Sequence, residues 1–357
     1  MMGAHRIATI AGDGIGKEVV AEGVRVVKAA AEATGCRFDF EDFSWGSEHY
    51  LAHGRMMPDD ALDRLAGFDA IYLGAVGHPQ VPDHTTLNGL LLPIRRTFEQ
   101  YANVRPSMAY PRVPTPLAAP TAREIDLVLV RENTEGEYTP AGGSVHVGTG
   151  DEVALQTAVF TRRGTERIVR FAFDLARTRR KRLTSITKSN AQGHSMTFWD
   201  RVFREVSADY PDVRTDSLLV DAAAMELIRR PHTFDVIVAS NLFGDILSEI
   251  AATVTGSLGL APSANLNPPR KHPSMFEPVH GSAPDIAGRG VANPIGAVLS
   301  AEMMVDWLGE PEAARGIRRA VVRLLSEGRA LTADVGGSAS THEVGDELVR
   351  LLRQGGG

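Results

Sequence analysis

Short apolar runs rich in Val, Ile and Leu alternate along the chain with longer amphipathic segments, a pattern that predicts an α/β architecture with a largely parallel sheet. Arg6–Ile10, Ala70–Leu73, Leu127–Val130, Thr184–Thr187 and Val236–Ala239 read as buried strands. Lys17–Thr34, Thr165–Thr178, Gly244–Val254, Ile295–Leu308 and Pro311–Ser326 carry helical periodicity. No internal repeat is visible. Two stretches break the pattern: Arg105–Pro120, holding Pro106, Pro111, Pro114, Pro116 and Pro120, and Gly256–Pro273. Both read as crossings between domains. Residues 1–105 and 256–357 then form one discontinuous domain and 106–255 a central one. Gly355–Gly357 are expected to fray.

Composition narrows the choice. A chain of 357 residues with 43% hydrophobic positions can bury a sizeable core, and its length exceeds the roughly 250–300 residues at which one core stops growing. A net charge of -6 offers no electrostatic footprint for nucleic acid. The lone Cys36 supports neither an internal disulfide nor a cysteine metal site. The start has no signal-peptide pattern and no stretch has the apolar length of a membrane span, so a cytoplasmic protein without a membrane partner is expected.

Gly12-Asp13-Gly14-Ile15-Gly16-Lys17 follows a strand and opens a helix, yet it fits neither nucleotide fingerprint. A Walker loop needs Gly at 11 and Ser or Thr after Lys17, and a dinucleotide fingerprint needs Gly at 17. A cofactor beside the tight turn remains open. Arg95, Arg105 and Arg131 are three guanidiniums whose planar forks would suit a substrate with two carboxylates, although each taken singly is an ordinary surface charge. Arg131 stands directly after a predicted strand, where open α/β sheets bind ligands. Lys188 holds a similar place, either as a base with a lowered pKa or as a solvated lysine. Asp245 and Glu249 share one helix face. With Asp221 they compose an all-oxygen cluster for Mg²⁺ or Mn²⁺, against the plain reading of Asp245 as a capping acid. Residues 277–294 pack Gly, Pro, Asp, His and Asn into one loop suited to a ligand.

These motifs in this order resemble the β-decarboxylating dehydrogenases, the isocitrate and isopropylmalate dehydrogenase superfamily, over nearly the whole chain. The spaced arginines, REN followed by Tyr138, TKSN at 187–190, NLFGDILS at 241–248 and EPVHGSAPDIAG from 277 carry the resemblance. GAVGHP at 74–79, VPDH at 81–84, ENTEGEY at 132–138 and PSANLNPPRKHPSMFEP at 262–278 look most like the tartrate and D-malate dehydrogenase branch. The resemblance implies a two-domain, non-Rossmann α/β fold with an interdomain active-site cleft, and a homodimer with shared active sites.

It further implies that Arg95, Arg105 and Arg131 bind the carboxylates of a malate-type 2-hydroxy diacid. Asn88, Leu91 and Leu92 would face its variable group. Tyr138 would be the general acid and Lys188 the base or its relay, with Asp221 also catalytic; Lys188 and Asp221 would come from the partner. Asp221 and Asp245 would hold Mn²⁺ or Mg²⁺, with Glu249 as third carboxylate. NAD would be bound by Asn190, Glu277, His280, Gly281, Ser282, Ala283, Asp285, Ile286 and Asn293, and a monovalent cation such as K⁺ is a further candidate. Two positions depart from the pattern: Glu249 stands where the family usually has Asp, and Asn88 where the branch typically has Trp. A 3-isopropylmalate dehydrogenase and a non-catalytic regulatory subunit are the alternatives.

Overall fold

The computed structural model describes residues 4–118 and 124–355. Pro120 and Gly356–Gly357 lie outside the described residues. The strands are β1 (His5–Gly12), β2 (Phe38–Asp42), β3 (Ala70–Ala75), β4 (Ala102–Met108), β5 (Asp126–Glu132), β6 (Gly142–Val145), β7 (Val153–Gln156), β8 (Arg182–Thr187), β9 (Arg214–Leu219), β10 (Val236–Ala239), β11 (Pro262–Leu266) and β12 (Ser274–Pro278). Ten of them form one sheet in the order β2-β1-β3-β12-β11-β4-β5-β10-β8-β9, and β6 and β7 pair separately. The sheet is parallel at both flanks and antiparallel in the middle, where β11 pairs with β12 and β4, and β4 with β5. The chain after Gly256 thus returns between β3 and β4 rather than extending the far edge.

All five expected strands form, each lengthened at one or both ends except Val236–Ala239. In β1 and β3 the side chains alternate between two apolar clusters. Ile7 and Tyr72 join the larger, and Ala8, Ile10, Ile71 and Leu73 join a smaller one with Phe43 and Trp45. The helix Gly16–Thr34 packs on the larger cluster. Its Gly23 makes room for Tyr72, since a Cβ there would meet the Tyr72 hydroxyl at 1.9 Å.

Helix starts differ from the periodicity for tertiary reasons. The expected Gly244–Val254 begins at Asn241 because the Glu137 carboxylate, from a distant loop, accepts from Ser240 Oγ and the Leu242 N–H. The expected Thr165 start moves to Arg162, where the Thr161 side chain accepts from the Gly164 N–H. Arg105 and Pro106 belong to β4 rather than to a proline-rich crossing. Pro106 is tolerated because β11 pairs only with Ala102–Val104, and its partner on β5, Val128, donates its N–H away from β4 to the Asp235 carbonyl. Glu277 and Pro278 belong to β12, so the loop begins at Val279. No described helix is long and apolar enough to cross a membrane.

Candidate active site

Arg131 is the penultimate residue of β5, inside the strand rather than after it, and only 2% exposed. Its Nε and Nη2 donate to Asn241 Oδ1 at 3.0 and 2.8 Å, and its Nη1 to Asp245 Oδ1. Arg105 on β4, opposite Leu129 of β5, donates to Ser248 Oγ at 2.6 Å and Asp245 Oδ1 at 3.3 Å. Asn241, Asp245 and Ser248 recur at the spacing of one helix face. That helix comes close because residue 244 is glycine: a Cβ there would lie 2.7 Å from Arg131 Cβ and Cγ. Arg95 points its Nη2 at Glu277 Oε1, 2.6 Å away, and Asn265 Nδ2 donates to the same oxygen at 2.8 Å.

These groups wall a cavity of about 230 Å³ that includes all three arginines, Tyr138, Asp245 and Glu277. The Tyr138 hydroxyl donates to Asp245 Oδ2 at 2.8 Å. Burial by itself would raise the Asp245 carboxyl, but the charges of Arg131 and Arg105 and the Tyr138 hydrogen bond hold it below the usual range. Burial and the neighbouring Asp245 push the Tyr138 hydroxyl up. Burial lowers Arg131 to about 10, with the other two arginines adding to the effect and Asp245 opposing it. Glu249 is raised, by desolvation first and by Asp245 in part, against the pull of Arg105.

Leu91 and Leu92 line the cavity as expected, but Asn88 does not; Leu87 does. Residues Leu87–Leu91 form a π-turn, whose wider spacing brings positions 87, 91 and 92 to one side. Asn88 instead donates to the His84 carbonyl at 2.8 Å. Asp221 sits in the first turn of the helix Val220–Arg229. It is exposed and paired with Lys188 Nζ at 2.9 Å, which lowers its carboxyl. The two line no part of the cavity. Among the described residues no three His, Cys, Asp or Glu side chains gather as a metal site, so the expected cluster of Asp221, Asp245 and Glu249 is not assembled within one chain. Asp245 and Glu249 offer two hard oxygen ligands, which suits a divalent cation only once a third arrives from elsewhere.

His280 and Gly281 border the cavity, and Val76 and Gly281 lead from it into an open cleft of about 600 Å³ between residues 76–83 and 281–284. The buried His280 Nε2 has no partner among the described residues, an acceptor or donor left for a ligand, and burial lowers the imidazole. Ser282 lines the cleft, Ala283 holds φ 40°, Asp285 is exposed and Ile286 packs on the core. The buried Asn293 donates its Nδ2 to Asp334 at 3.0 Å and accepts at its Oδ1 from the Ile295 N–H at 3.0 Å. Asn190 is exposed and lines neither space. Sequence reasoning missed Asn241, Ser248 and Leu87; the spacing of 241, 245 and 248 was the available signal.

An open α/β sheet with buried arginines, a tyrosine and carboxylates around one cavity is the architecture of an α/β enzyme. Residues 6–348 match the isocitrate/isopropylmalate dehydrogenase family, and the chain belongs to it. It is 51% identical to the D-malate dehydrogenase [decarboxylating] of Escherichia coli (strain K12), with 99% of both chains covered. It is likewise 51% identical to a probable tartrate dehydrogenase/decarboxylase of Bacillus subtilis (strain 168), again over 99% of both. The crystal structure of isocitrate dehydrogenase from Methylococcus capsulatus superposes with a TM-score of 0.89 at 37% identity, covering 98% of this chain and 100% of that one. The protein is therefore an oxidative decarboxylating dehydrogenase acting on a CH–OH group.

Proposed function

We propose that the protein oxidises and β-decarboxylates a malate-type 2-hydroxy diacid, D-malate or tartrate, using NAD and Mn²⁺ or Mg²⁺. The observation that carries this is the convergence of Arg95, Arg105 and Arg131 on one cavity of about 230 Å³, too small for a large substrate and charged for two carboxylates. The names of the relatives above support the same substrates.

The cleft from Val76 and Gly281 suits an elongated dinucleotide, and Asp245, Glu249 and the partner subunit's Asp221 would hold the cation. When bound, the nicotinamide supplies a hydride acceptor and the cation a Lewis acid. The arginines orient the two carboxylates of the substrate. The partner subunit's Lys188 takes the C2 hydroxyl proton, and Tyr138, kept protonated by its raised pKa, donates a proton at C3 after CO₂ leaves.

A homodimer would complete the site. Lys188 and Asp221 stand off the cavity, while Val145, Val147, Val153 and Leu155 on the β6–β7 hairpin, and Met225, Ile228 and Ile246 on nearby helices, are exposed apolar side chains. The division into 1–105 with 256–357 and a central 106–255 belongs to the same reading. A second reading, 3-isopropylmalate dehydrogenase, is favoured by the leucine wall of Leu87, Leu91 and Leu92. NADH formation with D-malate, tartrates, isopropylmalate and isocitrate tests the choice. Preferred turnover of isopropylmalate overturns the first reading, and activity on none of them favours a silent subunit.

A further inference from the structure

The turn between β1 and its helix touches both lips of the open cleft. On one side the buried Asp13 carboxylate accepts from the Gly77 N–H at 2.8 Å, while the Ser47 N–H and hydroxyl hold it at 2.8 and 2.6 Å. On the other side the Ile15 N–H donates to the Ser282 carbonyl at 2.9 Å. One turn further on, the Glu18 carboxylate accepts from the N–H groups of Gly288 and Gly290 at 2.5 and 2.9 Å. Gly288 and Gly290 have φ of 75° and 63°, a conformation natural to glycine, and neighbouring N–H groups in such turns converge where an anion fits. Here the anion is the protein's own side chain. The approach is close, since a Cβ on Gly14 would lie 2.0 Å from the Ser282 carbonyl oxygen.

We propose that Glu18 is a positioning residue for the dinucleotide: by filling the Gly288–Gly290 turn it fixes the loop that carries Asp285 and Ile286 opposite the lip held by Asp13. This rests on the NAD reading above. Glu18 touches none of the cavity arginines, so its effect falls on the dinucleotide and not on the hydroxy acid. Without the carboxylate, two backbone donors lose a charged acceptor and the 285–290 segment loses its tie to the helix.

NADH titration by fluorescence on the full-length protein, without hydroxy acid, tests this with Glu18→Ala and Glu18→Gln. Glu18→Ala should raise the NADH Kd about tenfold, with the KM for the hydroxy acid unchanged. Glu18→Gln should lose less, because its carbonyl oxygen still accepts one of the two bonds. Formate, a small anion able to refill the turn, should restore part of the affinity of Glu18→Ala and leave the wild type unaffected; a general loss of structure would not be rescued in this way. A wild type that does not bind NADH overturns the NAD reading and this inference together. A wild type that binds, with Glu18→Ala binding equally well or losing affinity for the hydroxy acid to the same degree, overturns the inference alone. Should Glu18→Ala fail to fold, an unchanged NADH Kd in Glu18→Gln overturns it.

Discussion

Tyr138 donates its hydroxyl proton to Asp245 Oδ2 across 2.8 Å, while Arg131 donates to the other oxygen of the same carboxylate. Asp245 is thus the meeting point of the Tyr138 hydroxyl and the Arg105 and Arg131 guanidiniums. Its depressed pKa keeps it an acceptor, and the raised pKa of Tyr138 keeps the proton on the phenol.

Tyr138→Phe and Lys188→Met are both expected to abolish oxidative decarboxylation with the fold intact. They should differ in the reduction of a 2-keto acid that needs no proton at C3: Tyr138→Phe spares it and Lys188→Met does not. Equal residual reduction in the two variants counts against these roles.

Metal dependence should separate the two carboxylates of one helix face. Asp245→Asn replaces a charged hard ligand by a neutral amide and should weaken Mn²⁺ activation severely, whereas Glu249→Gln should be milder if Glu249 acts through water. Activity measured against Mn²⁺ after chelation checks both. A larger loss from Glu249→Gln would reverse the assignment.

Cofactor choice is expected to rest on Asp285. A carboxylate accepts hydrogen bonds from a plain ribose but repels a 2′-phosphate, so NAD is expected over NADP. Asp285→Lys with a companion change at Ile286 should move the kcat/KM ratio toward NADP. Comparable efficiency of the wild type with both would show that Asp285 does not discriminate.

Gly244→Ala places a methyl 2.7 Å from the Arg131 side chain. Overpacking of this kind costs about 1–3 kcal/mol, and the displaced guanidinium should raise the KM for the diacid about tenfold, an effect of about 1.4 kcal/mol. Denaturation curves and steady-state kinetics measure the two effects; an unchanged KM would remove Arg131 from substrate binding.

Burial raises the Glu132 carboxyl to about 7, although Thr134 and Glu135 donate to it. Because the folded pKa is the higher one, the native state holds the proton more tightly than the unfolded chain. Stability from this group is full below the ordinary glutamate pKa and falls as pH rises through about 7, a change on the order of 3 kcal/mol. Urea unfolding between pH 5 and 8 should show this slope in the wild type and lack it in Glu132→Gln. Parallel pH profiles would contradict it.

By itself the sequence determined the α/β class and the strand cores, and it singled out Arg95, Arg105, Arg131 and Asp245, which the structure brings to one cavity. Apolar runs and spaced charges are local signals that survive without knowledge of the fold. Tertiary structure decided where those charges point. The carboxylate that caps the helix start, accepting from Ser240 Oγ and the Leu242 N–H, belongs to Glu137, more than a hundred residues earlier, so no local rule could place that start. Asn88 gave way to Leu87 because a π-turn, not a regular helix, sets the spacing there. Arg95 met Glu277 only because β12 folds back between β3 and β11. Asp221 parted from Asp245 because they stand on different helices whose relative placement no spacing encodes.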